Sequence, residues 1–140
     1  MLDCAHGATY HVAPKIFSEL GAEVIAIGNE PDGFNINLDV GSTNPKTIKE
    51  ATLKHKADLG IAFDGDGDRV VMIDDKGHIV DGDQLVLVIA RALKERNQLK
   101  GGVVGTLMTN MAIEKALQDL GVEFVRTHVG ALLGVLAPQL

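Results

Sequence analysis

The chain moves between two hydrophobic rhythms. In HVAPKIFSELG the apolar residues Val12, Ile16, Phe17 and Leu20 keep the spacing of one helix face, and Gly21 suits the left-handed position just past a helix end. AEVIAIG, directly after it, is a short apolar run of strand-forming composition. PDGFNINLDVGST has no helical periodicity and is rich in Gly, Asn and Asp, which predicts a loop. Asn44-Pro45 then predicts an N-cap followed by proline at the first helical position, opening a helix over PKTIKEATLKHK. ADLGIAFD reads as a buried strand, RVVMIDDKGHIV as two strands joined by an Asp-Lys-Gly turn, and DQLVLVIARALKERNQ as a long amphipathic helix.

Lys100-Gly101-Gly102 interrupts this pattern. Beyond it lie a strand (VVGTL), a helix (NMAIEKALQDLG) and a strand (EFVRT). Strands alternating with helices predict an α/β architecture. The break places a domain boundary between residues 99 and 100, and leaves about forty residues after it, few for an independent core. The second piece reads as incomplete.

A hydrophobic fraction of 46% and only 4 prolines fit a globular chain of 140 residues. No apolar run approaches the ~20 residues of a membrane span. MLDCAHG lacks the basic and apolar regions of a secretory signal, and the single Cys4 excludes an internal disulfide. A cytoplasmic location is the expectation. The net charge of −6 changes the picture more. Between residues 58 and 83 there are eight acids and two bases, while the rest of the chain is neutral. The acidity is therefore one local feature, which argues against nucleic acid as a partner and for a cation.

At its centre is FDGDGDRV, with Asp64, Asp66 and Asp68 at alternate positions and Arg69 directly after them. In an extended strand, residues two apart lie roughly 6.6 Å apart, at about 3.3 Å per residue. Oxygens around one Mg²⁺ must lie within about 3 Å of one another. The three carboxylates converge only if the backbone curls, which Gly65 and Gly67 permit. Held together without a counter-charge they would repel and take up protons. A hard divalent cation, Mg²⁺ or Mn²⁺, relieves that. The competing reading is a solvated turn, since Asp-Gly pairs are turn formers. A calcium-binding helix-loop-helix fails because Arg69 stands where its loop needs glycine and strands flank it. A haloacid-dehalogenase-type loop would want Thr or Val where this chain has Asp68.

DCAHGATY, PDGFNIN followed by GSTNP, FDGDGDR, IVDGDQLVLVIAR and GGVVGTLMTNM occur in this order, within a resemblance that runs over residues 3 to 130. Together they resemble the α-D-phosphohexomutase family, and GFNIN with GST resembles its glucosamine-phosphate branch. The resemblance implies a mixed sheet flanked by helices in residues 1–99, the second of four family domains. Residues 100–140 would open the third domain, as an incomplete second α/β unit. It also implies Mg²⁺ held by Asp64, Asp66 and Asp68, with Arg69 orienting phosphate oxygens of a hexosamine phosphate. In that family a phosphoserine passes its phosphoryl group between the 6- and 1-hydroxyls of the sugar. The implied function is a fragment of an enzyme converting glucosamine 6-phosphate to glucosamine 1-phosphate. The alternative is a non-catalytic metal-binding or interaction module derived from one. Homo-oligomerisation is left open.

Two features depart from the family. The only serines are Ser18, inside a predicted helix, and Ser42, in a capping or loop position. Neither has phosphoserine surroundings, so the chain alone is expected to be inactive. After THVG the family continues Asp-Arg-Tyr, whereas ALLGVLAPQL stands here, as a frameshift or truncation would produce. Among the remaining candidates, His6, at a strand-to-loop position, reads as a packing or loop hydrogen-bonding residue, with a cleft-facing role as the alternative, and Cys4 as a small core residue in a buried strand. His11, His55, His78 and His128 lack ligand spacing, Gly101-Gly102 reads as a linker, and Met108 and Met111 match helix-core positions.

Overall fold

A computed structural model describes residues 1–128. The divergent tail singled out above lies outside the described residues. In chain order the elements are β1 (Leu2–Asp3), α1 (Val12–Glu19), β2 (Ala26–Ile27), α2 (Pro45–His55), β3 (Leu59–Phe63), β4 (Val70–Asp74) and β5 (Ile79–Val80). α3 (Gly82–Glu95), β6 (Val103–Thr106), α4 (Met111–Asp119) and β7 (Phe124–Thr127) follow. The first five strands form one sheet in the order β2-β1-β3-β4-β5. β1 pairs parallel with β2 and with β3, and the β3–β4 and β4–β5 pairs are antiparallel. This is the mixed, helix-flanked sheet expected from the sequence.

Alternation along the strands gives the sheet two buried faces. Ile61 packs on one side with Leu2, Cys4 and Ala13 of α1. Ala62, its neighbour, packs on the other with Met1, Ile73 and Ile48 of α2. α2 comes unusually near β3: a Cβ on Gly60 would strike Thr52 Oγ1. The buried Thr52 hydroxyl instead donates to the Ile48 carbonyl (2.7 Å). Pro45 opens α2 as expected, although the Asn44 side chain makes no capping hydrogen bond. Burial raises the Cys4 thiol above its usual range and leaves it a core residue.

The chain forms two compact units, Met1–Gly82 and a second from Asp83 onward. α3 belongs by packing to the second, whose core joins Leu87 and Ala90 to Ile113, Leu117 and Val122. The boundary expected at residue 99 counts α3 with the first unit; residues 96–102, with Lys100 to Gly102 at their end, form the link from α3 to β6. β6 and β7 pair in parallel, and Asn110 caps α4 by accepting from the Ala112 amide (2.9 Å). Met108 and Met111 are not core residues. Met108 lies in the turn after β6 and Met111 is the first residue of α4, and they are 79% and 77% exposed. Periodicity misreads them because the helix begins only at Met111. No helix among the described residues is long and apolar enough to cross a membrane.

Candidate metal centre

Because β1, β2 and β3 run parallel, their C-terminal ends share one edge of the sheet. Three loops therefore meet there: residues 4–11 after β1, 28–44 after β2 and 64–69 after β3. This is the edge at which α/β sheets build sites. β3 ends at Phe63, and the chain then reverses. The Gly67 amide donates to the Asp64 carbonyl (3.1 Å), with Gly67 at φ +77°. Gly67 thus supplies the left-handed conformation that the curl needs. Gly65 is required for a different reason. A Cβ on it would lie 2.7 Å from the Ile36 side chain and from Asn37 Nδ2.

The curl brings the carboxylates toward one another, to a spacing that a bound cation would still have to tighten. One oxygen each from Asp64, Asp66 and Asp68 lies within 4.8 Å of the others. Asp64 is buried, while Asp66 and Asp68 face solvent. The Arg69 amide donates to Asp64 Oδ1 (3.1 Å). Arg69 Nε stands 3.5 Å from Asp64 Oδ2 and 3.6 Å from Asp68 Oδ1. The cluster therefore carries a built-in partial counter-charge. With all three acids ionised, Arg69 leaves two negative charges uncompensated, the charge of one divalent cation.

Protonation follows from this crowding. Burial works to raise the Asp64 carboxyl. Hydrogen bonds from the Arg69 amide, the Asp68 side chain and its own backbone, with the Arg69 charge, carry it below the usual carboxylate range. Asp68 is pushed the other way, first by its hydrogen bond with Asp64 and then by the Asp66 charge. Without a cation Asp68 therefore holds its proton more tightly than an isolated aspartate does. An all-oxygen set of this size, short of charge compensation, fits a hard cation such as Mg²⁺ or Mn²⁺.

The other candidates sit as follows. His6 hydrogen-bonds within the loops: its amide donates to the Gly28 carbonyl, and its Nδ1 accepts from the Glu30 amide (3.2 Å). Ser18 is exposed on α1. The Ser42 amide donates to the Phe63 carbonyl (2.8 Å), and its buried Oγ has no hydrogen-bond partner. His78 Nδ1 lies 2.8 Å from Asp74 Oδ2 across the β4–β5 turn.

In the sequence Asp3 stands out only as part of the motif DCAHGATY. The structure makes it a fully buried carboxylate, accepting from the Ala5 amide at Oδ1 (3.0 Å) and from the Gly41 amide at Oδ2 (2.7 Å). An acid inside the otherwise apolar start MLDCA was the available signal.

Two family models match the chain. Phosphoglucomutase/phosphomannomutase, alpha/beta/alpha domain II, matches residues 1–77, and domain III of the same family matches residues 81–133. Among curated relatives, the phosphoglucosamine mutases of Methylobacillus flagellatus and Chromobacterium violaceum are each 62% identical over 130 residues. That of Aliivibrio salmonicida is 60% identical over the same length. In each case the match covers 93% of this chain and 29% of the relative. The fold resembles a phosphoglucomutase/phosphomannomutase family protein from Burkholderia thailandensis, with a TM-score of 0.76 at 24% identity, over 92% of this chain and 29% of that one. An N-acetylglucosamine-phosphate mutase in its apo form gives a TM-score of 0.72 at 23% identity, over 93% of this chain and 32% of that one.

Proposed function

We propose, from the premise that the chain belongs to the phosphoglucomutase/phosphomannomutase family, that it supplies the metal loop of a phosphoglucosamine mutase. The observation that carries this reading is the convergence of Asp64, Asp66 and Asp68 within 4.8 Å on the loop after β3. The high identity to proteins named phosphoglucosamine mutase supports the sugar class. The reaction is the transfer of a phosphoryl group between the 6- and 1-positions of glucosamine phosphate.

In this reading Asp64, Asp66 and Asp68 hold Mg²⁺. The bound cation supplies charge neutralisation and polarisation at a transferring phosphoryl group. The chain's own residues prepare the site: the curl presents three carboxylates, and the Arg69 amide orients the buried one. Arg69, with a side chain 71% exposed, can turn its guanidinium toward phosphate oxygens, a planar donor suited to that task. The chain spans 29% of the length of the curated relatives it matches. Ser18 and Ser42 lie on α1 and at the base of the aspartate loop, and we assign neither the phosphoserine role. The complete cycle therefore belongs to a longer enzyme.

Calorimetric titration with Mn²⁺ or Mg²⁺ tests the loop. One site is expected on the wild-type chain, with binding weakened at least tenfold in Asp66→Asn, as befits loss of a charged ligand. Equal heats for the two proteins would sink the assignment.

A further inference from the structure

We infer that Asp3 is a positioning residue for the aspartate loop, acting through the two neighbouring loops that it ties together. The inference rests on reading residues 64–68 as the metal site. Asp3 ends the central parallel strand, and its fully buried carboxylate uses both oxygens. Oδ1 takes the Ala5 amide of the first loop, and Oδ2 takes the Gly41 amide of the second. Each anchored segment then touches the aspartate loop directly. Beyond Gly41, the Ser42 amide donates to the Phe63 carbonyl (2.8 Å), at the last residue before the aspartates. Beyond Ala5, the Ala8 amide donates to the Gly65 carbonyl (2.8 Å), and Gly7 packs so closely on Gly65 that a Cβ would overlap its backbone. The Asn37 amide closes the frame by donating to the Ala5 carbonyl (2.8 Å), and Ile36 and Asn37 wall the other side of Gly65.

The frame is held in demanding conformations. Ala5 and His6 have φ of 53° and 49°, and Gly41 has φ of 85°. Non-glycine residues adopt such angles only when their surroundings enforce them. Asp3 is the group placed to do so, since its two hydrogen bonds end on Ala5 and Gly41. Residues that orient metal ligands from behind affect affinity without touching the cation. No amide side chain can replace Asp3 here, because an Asn NH₂ at Oδ2 would face the Gly41 N–H, donor against donor.

The test compares the full chain with Asp3→Asn by amide hydrogen exchange, first without metal. Exchange of the Gly41, Ser42 and Ala8 amides should quicken about tenfold or more, with Mn²⁺ affinity lowered roughly 10–100-fold. A core variant, Ile48→Val, should lower the melting temperature while leaving Mn²⁺ affinity unchanged, which separates positioning from general stability. If Asp3→Asn does not fold, the wild type still decides. Coupling is reciprocal, so saturating Mg²⁺ should slow exchange at Ala5 and Gly41. Unchanged metal-free exchange and affinity in a folded Asp3→Asn, or Mg²⁺ binding that leaves Ala5 and Gly41 unaffected, would overturn the inference. Failure of the wild type to bind either cation would instead defeat the metal reading, while the metal-free exchange rates still judge the frame.

Discussion

At the scale of single residues, crowding pushes the carboxyls of the aspartate loop in opposite directions. Asp68 is raised by its hydrogen bond to Asp64 and by the Asp66 charge, so it keeps its proton above the ordinary value of 3.8. A cation must displace that proton to use Asp68 as a ligand. The sign follows: Mn²⁺ affinity should fall as pH drops toward the raised value, and level off at higher pH where Asp68 is already ionised. Titrations repeated from neutral to mildly acid pH would check this, and an affinity independent of pH would contradict the raised Asp68 carboxyl. Arg69 shows how far a residue type can be read from sequence. Its place beside the aspartates was legible, but not that its Nε pairs with two of them. That pairing depends on the curl at Gly67, a backbone angle that no side-chain pattern records.

Elements divide according to whether their cause is local. The four helices follow from apolar periodicity with flanking Gly, Asn and Pro, and their ends fall within a few residues of expectation. β1 does not follow from any such signal. It is two residues long and exists through parallel pairing of Leu2 with Ala26 and Ile61, partners distant in sequence. Asp3 escaped notice for the same reason, because its role appears only once β1 is seen between β2 and β3, in the middle of the three parallel strands. The packing of α2 over that sheet gives a direct test. Ile48 is fully buried among Met1, Ala62 and Ile73. Ile48→Ala should therefore cost about 2–5 kcal/mol, read from denaturant unfolding of the chain.

For the molecule as a whole, the partition into two units confines the proposed metal site. Every loop that frames the aspartates, and the core beneath them, lies within Met1–Gly82. The second unit has its own apolar centre at Leu117, fully buried with Ile113, Val122 and Ala90. Leu117→Ala should destabilise that unit by about 2–5 kcal/mol and leave Mn²⁺ affinity at the wild-type value. A parallel loss of affinity would show that the centre depends on more than its own unit. The sequence could not place this partition, because α3 has apolar residues on several faces and its partner core is decided only by packing.

The hydrogen bond from the Ala8 amide to the Gly65 carbonyl has an optical consequence. The chain has no tryptophan and a single tyrosine, Tyr10, whose amide donates to the Gly7 carbonyl (3.1 Å) in this same segment. Ultraviolet emission from the protein therefore comes almost wholly from one ring, mounted two residues from a direct contact with the aspartate loop. The loop carries its own lamp, and a change in emission on adding Mg²⁺ would report a cation settling there from an unlabelled, unaltered chain.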